Sequence, residues 1–346
     1  MFHSSRWPLA ALACAAAAFS AHSAHAAPAS KLDVRLSTAT PVLRGDVDVV
    51  VDVTVSNGTR RAIAVTASQL PGDDPEAKLF SITRDGQPER YRGAIVKRGP
   101  ASASETVVLQ PGASLSYSVE LTGAYDLVEN GRYAIEYVGL AKHGGGGANG
   151  APMYLWLEGR SAKGAPAPPP PPAGPGLSYS GNCSATQQST IASAVTAATN
   201  YAQAAAGYLG GTPSATPRYT TWFGAYSLAG WNTAKAHFNA IASAFTGQSL
   251  VVDCKCKKRN IYAYVYPTEP YKISVCGAFW SAPLTGTDSK AGTLVHEMSH
   301  FDVVAATDDW AYGQTAAKAL AISNPTHALD NADSHEYFAE NTPAQP

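Results

Sequence analysis

One five-residue run in this chain carries the residue types that hydrolytic metal chemistry needs: His296-Glu297-Met298-Ser299-His300. On a helix, residues four apart share a face, so two imidazoles can close on one zinc ion while Glu297 stands beside them. Zinc lowers the pKa of a bound water to about 7, and a carboxylate general base completes a nucleophile able to attack an amide. The helix expected to carry the run spans residues 288–303, with Asp288 or Thr287 as N-cap and Leu294, Val295 and Met298 on its buried face. The competing reading is a solvated helix with two structural histidines. The capped, half-apolar helix and the export signal described below weigh against it.

A catalytic zinc takes a third protein ligand. A metzincin would continue with Gly and His three and six residues beyond His300, where Val303 and Ala306 stand instead. A thermolysin-like enzyme would take a later glutamate, here Glu336 or Glu340. The remaining option is an aspartate soon after the motif: Asp302, Asp308 or Asp309.

The run Thr307-Asp308-Asp309-Trp310-Ala311-Tyr312-Gly313 that follows resembles the deuterolysin and peptidyl-Lys metalloendopeptidase family, the aspzincins, whose third ligand is the aspartate three residues before a Tyr-Gly. The likeness continues through residues 331–341 and covers the chain from about residue 179 onward. Ala306 departs from the pattern, since the family usually has Gly there. The resemblance implies an α+β zincin-like domain holding one Zn2+ on His296, His300 and Asp309, with Glu297 as general base. It also implies that the Tyr312 hydroxyl faces the oxygen of the tetrahedral intermediate, the oxyanion role of acyl transfer.

Asp333 and Glu336 stand three apart and would present two carboxylates on one face of a short helix. In lysine-specific members of the family the matching acidic residues form the S1′ pocket together with the tyrosine. Two carboxylates in a partly desolvated pocket favour an ammonium over neutral side chains, so the resemblance implies cleavage on the amino side of lysine. The plainer alternative is a helix-capping Asp333 and a solvated Glu336.

The elements around this constellation follow from the rest of the chain. Residues 1–26 read as a signal peptide: Arg6 precedes an Ala/Leu-rich run too short to span a membrane, and Ala24-His25-Ala26 is a cleavage site. Residues 27–163 are strand-like, with β-branched text at 47–55 and turn dipeptides such as Asn57-Gly58 and Asn130-Gly131. An all-β, immunoglobulin-like sandwich is expected there, with no catalytic cluster. Residues 164–176 form a proline-stiffened linker. Residues 177–346 carry helical text at 185–208, 217–226 and 233–245, a hairpin of 249–253 with 260–266 about a basic turn, and a strand at 273–279.

Cys14 leaves with the signal, so four cysteines remain, all in the C-terminal half: Cys183, Cys254, Cys256 and Cys276. An even count in an exported chain points to two disulfides, with Cys254 and Cys256 each bonded to one of the outer pair. The resemblance implies Cys183 with Cys254 and Cys256 with Cys276. With 25 basic and 26 acidic residues the chain has no global field to draw it to nucleic acid or an anionic membrane.

Signal, β domain, breakable linker and protease together describe a monomeric proenzyme. The β domain is then its propeptide, and protein or peptide substrates its other partners. Ala162-Lys163 is a candidate first self-cleavage site. A non-enzymatic reading, an exported β-sandwich adhesion or inhibitor module attached to a degenerate second domain, stands against it.

Overall fold

In a computed structural model of the chain, residues 31–72, 77–99, 103–142, 147–160 and 175–346 are described. The expected signal peptide, the Ala162-Lys163 bond and the linker up to residue 174 lie outside them. Gly176, counted above as the last linker residue, opens a strand, Gly176–Ser180.

In the N-terminal half, alternating text becomes strand where one face is buried. Val51, Val53 and Val55 of Val50–Ser56 turn inward between more exposed neighbours. Leu32–Ser37 and Ser114–Glu120 flank that strand antiparallel. Phe80–Arg84 and Met153–Glu158 flank Gly131–Tyr137 in the same way. Both sheets enclose one hydrophobic core that includes Val53, Tyr133, Ile135 and Leu157.

One strand of this region leaves its neighbours. Ile95–Arg98 pairs antiparallel with Ile261–Val265 and becomes the edge of a five-stranded sheet whose other members are C-terminal. Its order is Gly176–Ser180, Ser249–Asp253, Lys272–Val275, Ile261–Val265, Ile95–Arg98. The expected hairpin is therefore corrected, because Lys272–Val275 lies between its two arms, parallel to the first and antiparallel to the second. The unbroken apolar run Leu250-Val251-Val252 suits a parallel strand covered on both faces. The segment between the arms is also tethered, since Cys183 is bonded to Cys254 and Cys256 to Cys276.

Helices cover the sheet. Ala185–Leu209 turns a stripe of Ile191, Ala194, Ala198, Ala202 and Ala205 inward, and such small side chains let the helix lie close to its neighbours. The helices expected at 217–226 and 233–245 run Pro217–Phe223 and Leu228–Gly247, started by the hydroxyls of Thr216 and Ser227. The motif helix is shorter than expected, Lys290–His300, and its N-cap is Ser289 rather than Asp288 or Thr287. Asp288 sits at φ 51°, outside helical geometry.

All eleven residues of the motif helix are buried, its polar face included. The helices Ala185–Leu209 and Ala332–Glu340 pack on it. Its first turn is fixed by Glu340, whose Oε1 accepts from Ser289 N at 2.9 Å and Ser289 Oγ at 2.7 Å, while Ser289 Oγ accepts from Gly292 N at 2.8 Å. Gly292 is required there, because a Cβ would meet that same Glu340 oxygen at 2.1 Å.

Replacing Ser289 by Ala removes the cap and leaves a buried Glu340 oxygen short of donors. A loss of about 1–3 kcal/mol in unfolding free energy is expected. Urea titration of the two proteins measures it, and an unchanged midpoint would contradict this role for the cap.

Candidate metal centre and lysine pocket

His296 and His300 lie one turn apart on the motif helix with ring centroids 4.8 Å from each other. Each ring has its Nδ1 beside an oxygen of another element, in a hydrogen bond for His300 and in an ion-pair contact for His296. That of His300 lies 2.8 Å from the Thr307 carbonyl, and that of His296 lies 2.9 Å from Asp333 Oδ1. Both rings thereby present Nε2 to one point, the arrangement that outer partners impose on metal-binding histidines.

Asp309 comes to the same point. Its Oδ1 lies 3.3 Å from His296 Nε2 and 3.5 Å from His300 Nε2. All three atoms are buried, yet none makes a hydrogen bond. Ligands about 2.0–2.1 Å from a tetrahedral zinc stand about 3.4 Å apart, so the three atoms fit such an ion.

The electrostatics agree with a cation site. Burial drives the His300 imidazole down to about 4, leaving it neutral at pH 7 with a free lone pair. Burial works the same way on His296, but Asp309 outweighs it and favours positive charge there. For Asp309, burial opposes ionisation, and His300 and His296 outweigh it, holding the carboxyl well below its usual range.

The loop carrying Asp309 is held from both sides. The Ser299 and Thr307 hydroxyls lie 2.6 Å apart, and Asn331 Oδ1 accepts from Trp310 N at 2.9 Å and Ala311 N at 3.0 Å. Asp308 N donates to the Asp330 carbonyl at 2.7 Å. Ala306 sits in the left-handed region at φ 51°, which accounts for the glycine usual at that position.

The other aspartates and the glutamate alternatives are engaged elsewhere. Asp302 pairs with Arg90 at 3.3 Å, Asp308 with Lys142, and Glu340 with Ser289. Glu336 lies 3.4 Å from His296 Nδ1, on the far side of the ring from Asp309.

Glu297 is fully buried, and neither carboxylate oxygen has a hydrogen-bond partner. Burial, reinforced by the negative charge of Asp309, pushes its carboxyl up to about 8. The Tyr312 hydroxyl lies 2.7 Å from Asp309 Oδ2 and 2.5 Å from the carbonyl oxygen of Val96.

Asp333 and Glu336 lie together on Ala332–Glu340, both buried. Asp333 Oδ2 also accepts from Gly313 N at 2.6 Å, where φ 81° suits the glycine after Tyr312. With His296 these acids form a second cluster of ligand type. Its occupant is an ammonium. Lys97 Nζ donates to Asp333 Oδ1 at 3.1 Å and to Glu336 Oε2, and it lies 5.4 Å from the centroid of the Tyr262 ring. Burial alone would depress this amine, but Asp333 and Glu336 outweigh it and hold it well above the ordinary lysine value.

The sequence reading expected no catalytic cluster in the N-terminal half and did not single out Lys97, which that half contributes to the acidic pair. Lys142 belongs with it: it is fully buried, donates to Asp308 Oδ1 at 2.5 Å and lies 4.8 Å from the centroid of the Trp310 ring. The only signal for either was a lysine within apolar text, such as Ala94-Ile95-Val96-Lys97, and that text names no distant partner.

Comparison with known proteins adds an independent line. Residues 208–340 match the family described as lysine-specific metallo-endopeptidase, Aspzincin. An extracellular protease of Aeromonas hydrophila is 42% identical over 332 residues, covering 92% of this chain and 94% of that protein. A peptidyl-Lys metalloendopeptidase of Grifola frondosa is 39% identical over 282 residues, covering 77% and 80%. A solved zinc peptidase from Grifola frondosa is 50% identical, covers 47% of this chain and 100% of its own, and superposes with a TM-score of 0.46.

Zinc measured on dialysed protein discriminates the two clusters. Asp309→Ala is expected to lose the metal of the parent chain, and Glu336→Gln to retain it. Retention by the first variant with loss from the second would move the metal to the cluster of His296, Asp333 and Glu336.

Proposed function

The chain belongs to the aspzincin family of zinc metalloendopeptidases, and on that basis we propose that it is a secreted proenzyme whose C-terminal domain cleaves peptide bonds on the amino side of lysine. Membership removes the reading of a non-enzymatic adhesion or inhibitor module. The residue roles rest on the geometry. The observation that carries the lysine preference is Lys97: a lysine of the same chain lies in the pocket of Asp333 and Glu336, with the preceding carbonyl at the Tyr312 hydroxyl.

Zinc held by His296, His300 and Asp309 would supply Lewis acidity, acidifying water and polarising a carbonyl. Glu297, beside it without a competing hydrogen bond, takes the proton of the attacking water and returns it to the leaving amine. Tyr312 donates to the carbonyl oxygen as negative charge develops there. Asp333 and Glu336 bind the ammonium one residue beyond the scissile carbonyl, and this fixes which bond reaches Glu297. The buried setting strengthens each interaction by excluding water.

The immunoglobulin-like sandwich, acting as propeptide, and release from the cell complete the proposal. Two disulfides and an extracellular relative support export, and among the described residues no helix is long and apolar enough to cross a membrane.

Digestion of a denatured protein by the processed enzyme, with the new N-termini sequenced, tests the reading. Lysine is expected at each new N-terminus, and chelator should abolish cleavage. Glu297→Ala should lower turnover by about 100-fold or more. Removing one pocket charge, as in Glu336→Gln, should lower kcat/KM for lysine bonds by about 30-fold or more. Cuts distributed without regard to lysine would overturn the specificity and leave the peptidase.

A further inference from the structure

We infer that the run Lys255-Cys256-Lys257-Lys258-Arg259, with the cleft it lines, binds an anionic polysaccharide. No residue of the metal site or the acidic pair takes part, so the site is independent of the peptidase reading. Only the choice of a polysaccharide rests on export.

Four of the chain's 25 basic residues fall in these five positions, while the whole chain carries a net charge of -1. Attraction for a polyanion is therefore local and depends on how these cations are held. The two disulfides hold them. Cys254 is buried and bonded to Cys183, and the half-buried Cys256 is bonded to the buried Cys276. Between and beyond these inward ties, Lys255 and Lys257 are exposed. Alternate residues are thus drawn in, and the lysines that separate them are turned out. The backbone beyond is pinned as well, since Gly277 N donates to the Lys258 carbonyl at 2.8 Å.

Acids beside the run are occupied by uncharged donors. Asp253 accepts from Lys255 N and Ser180 Oγ, each at 2.7 Å, and Glu105 accepts from Asn260 Nδ2 at 2.8 Å. Among the described residues the side chains of Lys255 and Arg259 meet no carboxylate, and Lys257 Nζ lies 3.4 Å from the Cys254 carbonyl.

Lys255, Lys257 and Lys258 line a cleft of about 840 Å³ whose opposite wall includes Ser118 and Glu120 of the N-terminal half. Glu120 is itself turned onto Thr122 N and Gly123 N. Walls of low dielectric focus the field of such cations, so an anion is drawn into a cleft more strongly than onto a convex face. Tyr264 and Tyr266 add an aromatic wall, their rings edge to face with centroids 6.0 Å apart. A sugar ring can rest its C–H face on such a wall between anionic groups, which a lone sulfate or phosphate ion cannot do. Four cations are also fewer than the roughly 6–10 phosphate contacts of a strong nucleic-acid site.

The test uses the full chain carrying Glu297→Gln, which does not digest itself, and a fluorescent heparin oligosaccharide, with binding read by anisotropy in about 0.15 M salt. Lys255→Ala/Lys257→Ala is expected to bind roughly tenfold more weakly or worse, a loss per cation like that at other polyanionic surfaces. Lys255→Gln/Lys257→Gln carries the comparison should the alanine chain fail to melt cooperatively. Arg60→Ala/Arg61→Ala, which removes two exposed cations elsewhere, is expected to bind as the parent does. Inorganic sulfate matched in sulfate groups is expected not to displace the oligosaccharide. Absence of binding by the parent, equal affinity of parent and folded lysine variants, or an equal loss in the arginine variant would overturn the site. Displacement by sulfate would reduce it to a single-ion site, and tighter binding of charge-matched DNA or poly-glutamate would overturn the polysaccharide.

Discussion

Four carboxylates, those of Glu297, Asp309, Asp333 and Glu336, lie buried around the motif helix, and positive charge must be supplied for them to coexist there. Desolvation of an ionised carboxylate costs several kcal/mol, and like charges in a dry site raise that cost further. The chain meets the constraint at two points. His296, His300 and Asp309 form a cation site with unsatisfied ligand atoms, and Asp333 with Glu336 encloses an ammonium. His296 links them, with Nε2 toward Asp309 and Nδ1 toward Asp333. The proposed metal site and lysine pocket therefore share one histidine ring.

The same constraint explains the fold around the site. A helix with every residue buried needs caps and polar partners supplied from inside, and Ser289 with Glu340 provide them at its first turn. The loop after it has to return Asp309 to the face it has just left, and hydrogen bonds of Thr307 and Asn331 hold it there. Residues 95–98 meet the sheet edge, the acidic pair and the Tyr312 hydroxyl.

Much of this was legible in the residues because the spacing is local. His296 and His300 share a helix face by simple periodicity, as do Asp333 and Glu336, and the text after His300 carried the resemblance to the aspzincins. The β-branched text at residues 47–55 marked a strand. Long-range pairing was not legible. The basic turn between residues 253 and 260 looked like a hairpin because nothing local shows that Lys272–Val275 inserts between its arms. Asp288 and Ser289 are both good caps, and only the backbone at φ 51° excludes the first. Lys97 and Lys142 were invisible for a deeper reason: their partners lie more than 160 residues away in sequence, at separations of 239 for Glu336 and 166 for Asp308. A lysine in a β-branched run reads as an edge-strand charge unless the acidic pocket that takes it is already known.

The central claim is that two cations, one metallic and one the Lys97 ammonium, share this closed site in the unprocessed chain. Anomalous diffraction at the zinc edge from crystals of the zinc-loaded full chain carrying Glu297→Gln tests it most directly. The expected result is one peak about 2.0–2.2 Å from His296 Nε2, His300 Nε2 and an Asp309 oxygen, with the Lys97 side chain in density between Asp333 and Glu336. A peak among His296, Asp333 and Glu336 with Lys97 displaced would contradict the account.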